Sequence, residues 1–149
     1  MTHGRSGGCQ CGAVRFVIEG ALGAASICHC RMCQKAFGNL FAPLVSVGAA
    51  QLTWTKAPPK RFQSSNHVRR GFCPDCGTPL TYEAPDGVAL AIAAFDDPSD
   101  IVPVVQFGTE GKIAWGDDLS ALPSRTTLED IEAAPFLAEV VSFQHPDRD

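Results

Sequence analysis

No stretch of this chain approaches the roughly 18 consecutive apolar residues that a membrane-spanning helix requires, so a membrane protein is not expected. The N-terminal Met1-Thr2-His3-Gly4-Arg5 carries no apolar run of the kind found in a signal peptide, which argues against secretion and for a cytoplasmic protein. Positive charge is scarce as well. Twelve Lys and Arg against 16 Asp and Glu give a net charge of −4, and nothing in that balance provides the footprint of a nucleic-acid binder. Internal repeats and low-complexity segments are missing too, which removes solenoids and disordered tails. What remains, at 149 residues with 45% hydrophobic and 19% charged, is the composition of one soluble globular domain able to bury a core of its own.

Against these absences, seven cysteines stand out. An odd count leaves a thiol over in any disulfide scheme, and the cytosol would reduce the bridges. A lone cysteine is often just a small buried hydrophobe. These seven fall instead into tight clusters: Cys9 and Cys11; Cys28, Cys30 and Cys33; Cys73 and Cys76. Packing does not ask for such spacing, whereas metal ligation does.

Short extended segments separated by turn signals dominate the rest of the chain. Ala13–Glu19 reads as a strand with Val14, Phe16 and Ile18 on one face. After Cys33, Gln34–Phe37 has room for one helical turn before Gly38 ends it. Leu40–Val47 reads as a strand, placed at an edge or a bulge by Pro43. Leu52–Thr55, Arg61–Gln63 and Val68–Phe72 follow, then a hairpin of Thr78–Glu83 and Val88–Phe95 around Pro85-Asp86-Gly87. Ile101–Phe107 is a further extended run, interrupted by Pro103. Only Thr126 and Glu129, at capping-box spacing, mark a helix start; Leu128, Ile131 and Ala134 share its face and Pro135 ends it. The expectation is an all-β domain with one short C-terminal helix.

Cys73-Pro74-Asp75-Cys76-Gly77 is the most specific local signal. Two residues between cysteines allow a tight turn to aim both sulfurs at one zinc ion, about 2.3 Å away. A thioredoxin-like redox pair needs this motif at a helix start, which Pro79 disfavours. A structural zinc needs four ligands, and two sets compete to complete it. Cys9 and Cys11 leave Cys28, Cys30 and Cys33 as a second set; alternatively Cys30 and Cys33 leave Cys9, Cys11 and Cys28. The echo of Cys76-Gly77 in Cys11-Gly12 favours the first. Three protein ligands leave zinc one position for water or substrate, the mark of a catalytic site. A thiol bound there loses its proton near neutral pH. The other reading is a fourth ligand such as His29 or His67 that closes the site; His29 is also a candidate for proton transfer.

Gly8-Cys9-Gln10-Cys11-Gly12, Cys28-His29-Cys30-Arg31-Met32-Cys33 and Phe72-Cys73-Pro74-Asp75-Cys76-Gly77-Thr78-Pro79 together resemble the glutathione-dependent formaldehyde-activating enzyme family, which also contains centromere protein V. Ala36-Phe37-Gly38 and Phe95-Asp96-Asp97-Pro98 add to the likeness. It covers about residues 7–125 of a single zinc-binding domain, leaving 126–149 as a C-terminal extension. The resemblance implies a β-tent of short coiled antiparallel sheets around two zinc ions. It assigns Cys9, Cys11, Cys73 and Cys76 to a structural ion, and Cys28, Cys30 and Cys33 to a catalytic one. The implied activity is that of a carbon–sulfur lyase, condensing glutathione with formaldehyde. Two residues depart from the family pattern: Gln34 stands where arginine is common, and Phe37 where a small residue is usual.

The resulting expectation is an enzyme whose three-cysteine zinc holds a thiolate beside a small aldehyde, with Cys28, Cys30, Cys33 and His29 as catalytic residues. Arg69 and Arg70 are candidates to meet a carboxylate of the thiol, although charges near the four-thiolate ion or on an ordinary strand surface are the plainer account of them. The alternatives are a non-catalytic zinc-stabilised binding module, or a relative acting on a different thiol adduct. A zinc hydrolase is weaker, because three thiolates leave a net negative site of low Lewis acidity.

Overall fold

The computed structural model describes residues 4–149; Met1 to His3, in the N-terminal stretch read above for a signal sequence, lie outside the described residues. In chain order the strands are β1 (Arg5–Gly8), β2 (Arg15–Ile18), β3 (Ala25–Cys28), β4 (Ala42–Val47), β5 (Leu52–Trp54), β6 (Lys60–Gln63), β7 (Arg69–Phe72), β8 (Pro79–Ala84), β9 (Gly87–Ala91) and β10 (Val105–Phe107). The α-helices are α1 (Arg31–Phe37), after β3, and α2 (Thr127–Asp130), near the C-terminus. This is an all-β architecture with few helical residues, as the turn-punctuated sequence predicts.

Two sheets carry the fold. One has the order β1-β2-β5, the other β10-β3-β4-β9-β8-β7-β6. Alternation along β2 does what its period dictates: Val14, Phe16 and Ile18 are fully buried because every second side chain shares a face. Phe16 packs edge-on against Phe95 and Trp54, at 5.1 and 6.0 Å between ring centres. Leu80, Leu90 and Val45 from the larger sheet complete this core. Burying each side chain of this size contributes about 1.5–3 kcal/mol.

The resemblance implies antiparallel sheets, and one pair departs from that. β10 pairs with β3 in parallel, which is possible because a long connection carries the chain back to the same end. β4 is not an edge strand either. It lies between β3 and β9, but β9 pairs with it only from Leu44 onward, so Pro43 sits where one side of β4 is free and a missing N–H is tolerated.

α1 starts three residues before the expected turn, because Cys30 serves as its N-cap; Gly38 ends it as anticipated. β9 stops at Ala91, and Ile92–Ala94 forms a 3-10 turn where the sequence reads as strand. The capping box of α2 is present, with Thr126 and Glu129 bonded to each other's backbone. The helix is only four residues long, however, and Leu128 is 79% exposed. Pro135 opens a 3-10 turn rather than closing the helix. The chain then returns to its beginning: the His145 N–H donates to the Gln10 carbonyl at 2.7 Å. Asp149 accepts from Arg15, which also holds Asp96 through two bonds of 2.8 and 2.6 Å. Among the described residues no helix is long and apolar enough to cross a membrane.

Candidate metal centres

The sulfurs of Cys9, Cys11, Cys73 and Cys76 all lie within 4.8 Å of one another. Two knuckles of similar build bring them together. In one, the Cys9 N–H donates to the Val14 carbonyl and Gly12 to the Cys9 carbonyl; in the other, Cys73 donates to Thr78 and Gly77 to Cys73. Gly12 and Gly77 adopt φ of 79° and 80°, a left-handed bend that a Cβ would penalise. The Gln10 N–H ties one knuckle to the other through Thr78 Oγ1 at 3.0 Å. Cys73 and Cys76 stand between β7 and β8 with no helix after them, which removes the redox-pair reading.

Cys9 and Cys11 sulfurs are 3.6 Å apart, and Cys11 and Cys73 sulfurs 3.8 Å. Those separations are far from the roughly 2.05 Å of a disulfide. They suit a tetrahedron of about 2.3 Å metal–sulfur bonds, whose edges are about 3.8 Å. The protein's own groups ionise these thiols unevenly. Desolvation pushes Cys73 up to about 12; it also opposes ionisation of Cys76, but hydrogen bonds from Thr78 outweigh it and bring Cys76 down to about 6. A divalent cation removes that disparity, because coordination deprotonates each thiol.

Cys28, Cys30 and Cys33 form the second group, their sulfurs also mutually within 4.8 Å. Cys28 ends β3, Cys30 caps α1 and Cys33 lies in its first turn, where the Cys33 N–H donates to Cys30 Sγ at 3.5 Å. Desolvation pushes Cys28 up, and Cys33 up to about 12 against the pull of Arg70. Neither His29 nor His67 joins either group. The competing partition of the cysteines, with Cys30 and Cys33 completing the four-ligand set, is therefore not the one the fold assembles.

The three-cysteine group opens into a cavity of about 480 Å³ whose walls include Cys28, Cys30, Cys33, Arg70, Tyr82 and Phe107. Volume and mixed lining are those of a small-molecule site. His29 is absent from these walls: its buried ring bonds Gln106 Oε1 at 2.8 Å and packs edge-on to Phe41. Gln34 also points away, its amide donating to the carbonyls of His29 and Gly111, each at 2.9 Å. Phe37 packs between the two core clusters.

The two arginines of β7 part company. Arg69 is exposed and reaches Glu83 at 3.6 Å, the surface role expected of it. Arg70 is 4% exposed and neither a surface charge nor a neighbour of the four-cysteine group. Its Nη2 donates to Cys33 Sγ at 3.4 Å, its Nε to Ser64 Oγ at 2.9 Å, and its plane covers Tyr82, 5.1 Å from the ring centre. Strand alternation was the signal that could have separated the pair, since Arg70 shares a face with Val68 and Phe72 and Arg69 does not. Phe107 and the Gly108–Gly111 turn carried no comparable signal.

A family model described as "Glutathione-dependent formaldehyde-activating enzyme" matches residues 4–110, well over half of the chain. The match contains all seven cysteines and Arg70, and it stops short of the 125 to which the motifs read. Among solved structures the chain is similar to the crystal structure of a Rhodobacter sphaeroides protein from structural genomics, with a TM-score of 0.55 and 21% identity. That alignment covers 68% of this chain and 98% of the other, and it bears on the fold alone. No curated protein matches the chain.

Proposed function

The chain belongs to the glutathione-dependent formaldehyde-activating enzyme family, and from that premise we propose that it joins a thiol such as glutathione to formaldehyde or a related small aldehyde. One carbon–sulfur bond forms, the carbonyl becomes a hydroxyl, and the thiol proton is balanced by the proton that oxygen gains. No redox partner is needed. Seven reduced cysteines also suit a cytoplasmic setting.

The observation that carries this reading is the difference between the two cysteine groups. Four sulfurs complete a structural zinc site, whereas three that face a cavity leave one position for substrate. Cys28, Cys30 and Cys33 would hold the zinc, which when bound would supply ionisation of an incoming thiol near neutral pH. The cavity gathers thiol and aldehyde, replacing a chance encounter by a held one. Arg70 fixes Cys33 through Nη2, and Tyr82 and Phe107 contribute to the cavity walls. With its ring on Gln106, His29 holds β10 against β3, so the hydroxyl proton comes from water rather than from this imidazole.

The test is magnetisation-transfer NMR on ¹³C-formaldehyde with glutathione. Zinc-loaded protein should speed exchange between free aldehyde and S-hydroxymethyl adduct, and Cys30→Ser should return it to the background rate. Equal exchange with and without wild-type protein would refute the proposed activity.

A further inference from the structure

We infer that Arg70 is the point at which the cavity recognises a carboxylate, so that the thiol it takes is one bearing a carboxylate a few bonds from its sulfur; this rests on the thiol reading above. A buried guanidinium is costly unless its charge is matched and its protons are used. The other buried arginine shows how this chain meets that need: Arg15 is held by Asp96 through two bonds and by Asp149 through two more. For Arg70 there is no carboxylate within ion-pair distance among the described residues. Its Nη1 is buried without any hydrogen-bond partner, while Nε and Nη2 are engaged by Ser64 and Cys33.

Two hydroxyls on the same wall add to this unused donor. Ser64 Oγ accepts from Arg70 Nε, and Ser65 Oγ accepts from the N–H groups of His67 and Val68 at 3.3 and 3.2 Å. Each oxygen already serves as an acceptor, and each keeps its own proton to donate. Both serines line the cavity with Arg70. Asp86 also lines the cavity but makes no ion pair with Arg70, so a guanidinium nitrogen and two hydroxyls with protons to give form a receptor for an oxyanion. Arg70 Nη2 is 3.4 Å from Cys33 Sγ, so Nη1 on the same planar group lies close to the three-cysteine set. One short molecule carrying both sulfur and carboxylate spans the two.

The experiment titrates the cobalt-loaded full-length protein with 3-mercaptopropionate and with its neutral amide, 3-mercaptopropionamide, reading the thiolate-to-cobalt absorption. Affinities are compared per thiolate, corrected for each thiol's own pKa. The acid should bind roughly tenfold or more tightly, the scale of one buried charge-assisted hydrogen bond. Arg70→Gln should bring the acid down to the level of the amide, Arg70→Lys should keep part of the preference, and Ser65→Ala should reduce it. If Arg70→Gln fails to fold with both metals, the wild-type ratio and Ser65→Ala decide. Equal affinities for acid and amide in wild type overturn the assignment while leaving the thiol reading standing. No spectral change with either thiol overturns both.

Discussion

Gly108 packs so closely on Cys30 that a Cβ at position 108 would stand 2.9 Å from the Cys30 nitrogen and 3.1 Å from its Cβ. Its φ of 60° lies in the left-handed region. The turn after β10 is thus seated on the middle member of the three-cysteine group, and the His29 N–H donates to the Phe107 carbonyl at 2.9 Å beside it. A segment far along the chain shapes a site whose sulfurs come from a six-residue stretch.

Gly108→Ala should therefore disturb the second metal centre selectively. The left-handed backbone alone costs an alanine about 1–2 kcal/mol, and the approach to Cys30 adds to it. At roughly 2–4 °C per kcal/mol for a chain near this size, the melting point falls by several degrees. Metal analysis after dialysis against a weak chelator should show loss from the three-cysteine group first. A variant with wild-type metal content and melting point contradicts this account of the turn.

The two centres should differ in what they do for folding. Cys9 and Cys11 are joined to Cys73 and Cys76, Cys11 and Cys73 being 62 positions apart, so an ion there links distant segments and its binding energy becomes folding energy. Cys76→Ser should lose cooperative unfolding along with that ion. Cys30→Ser should keep near-native circular dichroism with one metal fewer, because its ligands lie within one short segment. The reverse pattern would make the three-cysteine group the structural one.

Spacing made the cysteine clusters legible, since each is local, and the matching glycines visible as Cys11-Gly12 and Cys76-Gly77 favoured one of the two partitions that spacing left open. Alternation likewise exposed β2, because Val14, Phe16 and Ile18 recur at every second position, with Arg15 and Glu19 off that face. What stayed hidden depended on partners far away in the chain. β1 contains Gly7-Gly8 and has no side-chain period to read; β3 is four residues long, and its pairing with β10 is a tertiary fact. Arg70 next to Arg69 looks like a surface pair unless its alternation with Val68 and Phe72 is weighed, and its partner Tyr82 is known only from the register. For α2, the capping box is a local signal and held, whereas its continuation relied on an apolar face whose first member, Leu128, is left exposed.

Acid should act on the Arg15–Asp96 pair in a definable window. Burial opposes the Asp96 charge, but hydrogen bonds from Arg15 and Ser6 outweigh it and hold its pKa below the usual carboxylate value. A carboxyl whose folded pKa is depressed stabilises the fold fully above its unfolded pKa, about 3.9. That contribution fades as pH falls from there through the lower folded value. Asp96→Asn should cost about 1.5–3 kcal/mol near neutrality, the scale of a hydrogen-bonded buried charge. Its deficit relative to wild type should shrink below about pH 4. Comparing the two proteins at each pH cancels metal loss common to both. A deficit constant down to pH 2 would show that Asp96 is not the titrating group.

Gln34 stands where arginine is common in the family, and its side chain explains what the position does here. It is buried and points away from the cavity; its amide joins the His29 and Gly111 carbonyls while its oxygen accepts from Arg31 at 3.2 Å. The work of residue 34 is to brace the turn that seats Gly108 on Cys30. Gln34→Leu leaves both carbonyls without this donor, at about 1–3 kcal/mol for each that water cannot reach. Gln34→Glu is worse, because a carboxylate would face two carbonyl oxygens. Gln34→Arg can still donate to both, but it sets a second cation beside Arg31 and removes that residue's acceptor. Urea midpoints should therefore fall in the order wild type, Arg, Leu, Glu. Amide exchange at Gly111 and Lys112, whose N–H groups close the 108–112 turn, should quicken in the same order. Thiol affinity of Gln34→Arg should stay within about threefold of wild type, since no part of residue 34 lines the cavity. A large gain in thiol affinity in that variant would place position 34 in substrate binding and end its reading as a brace.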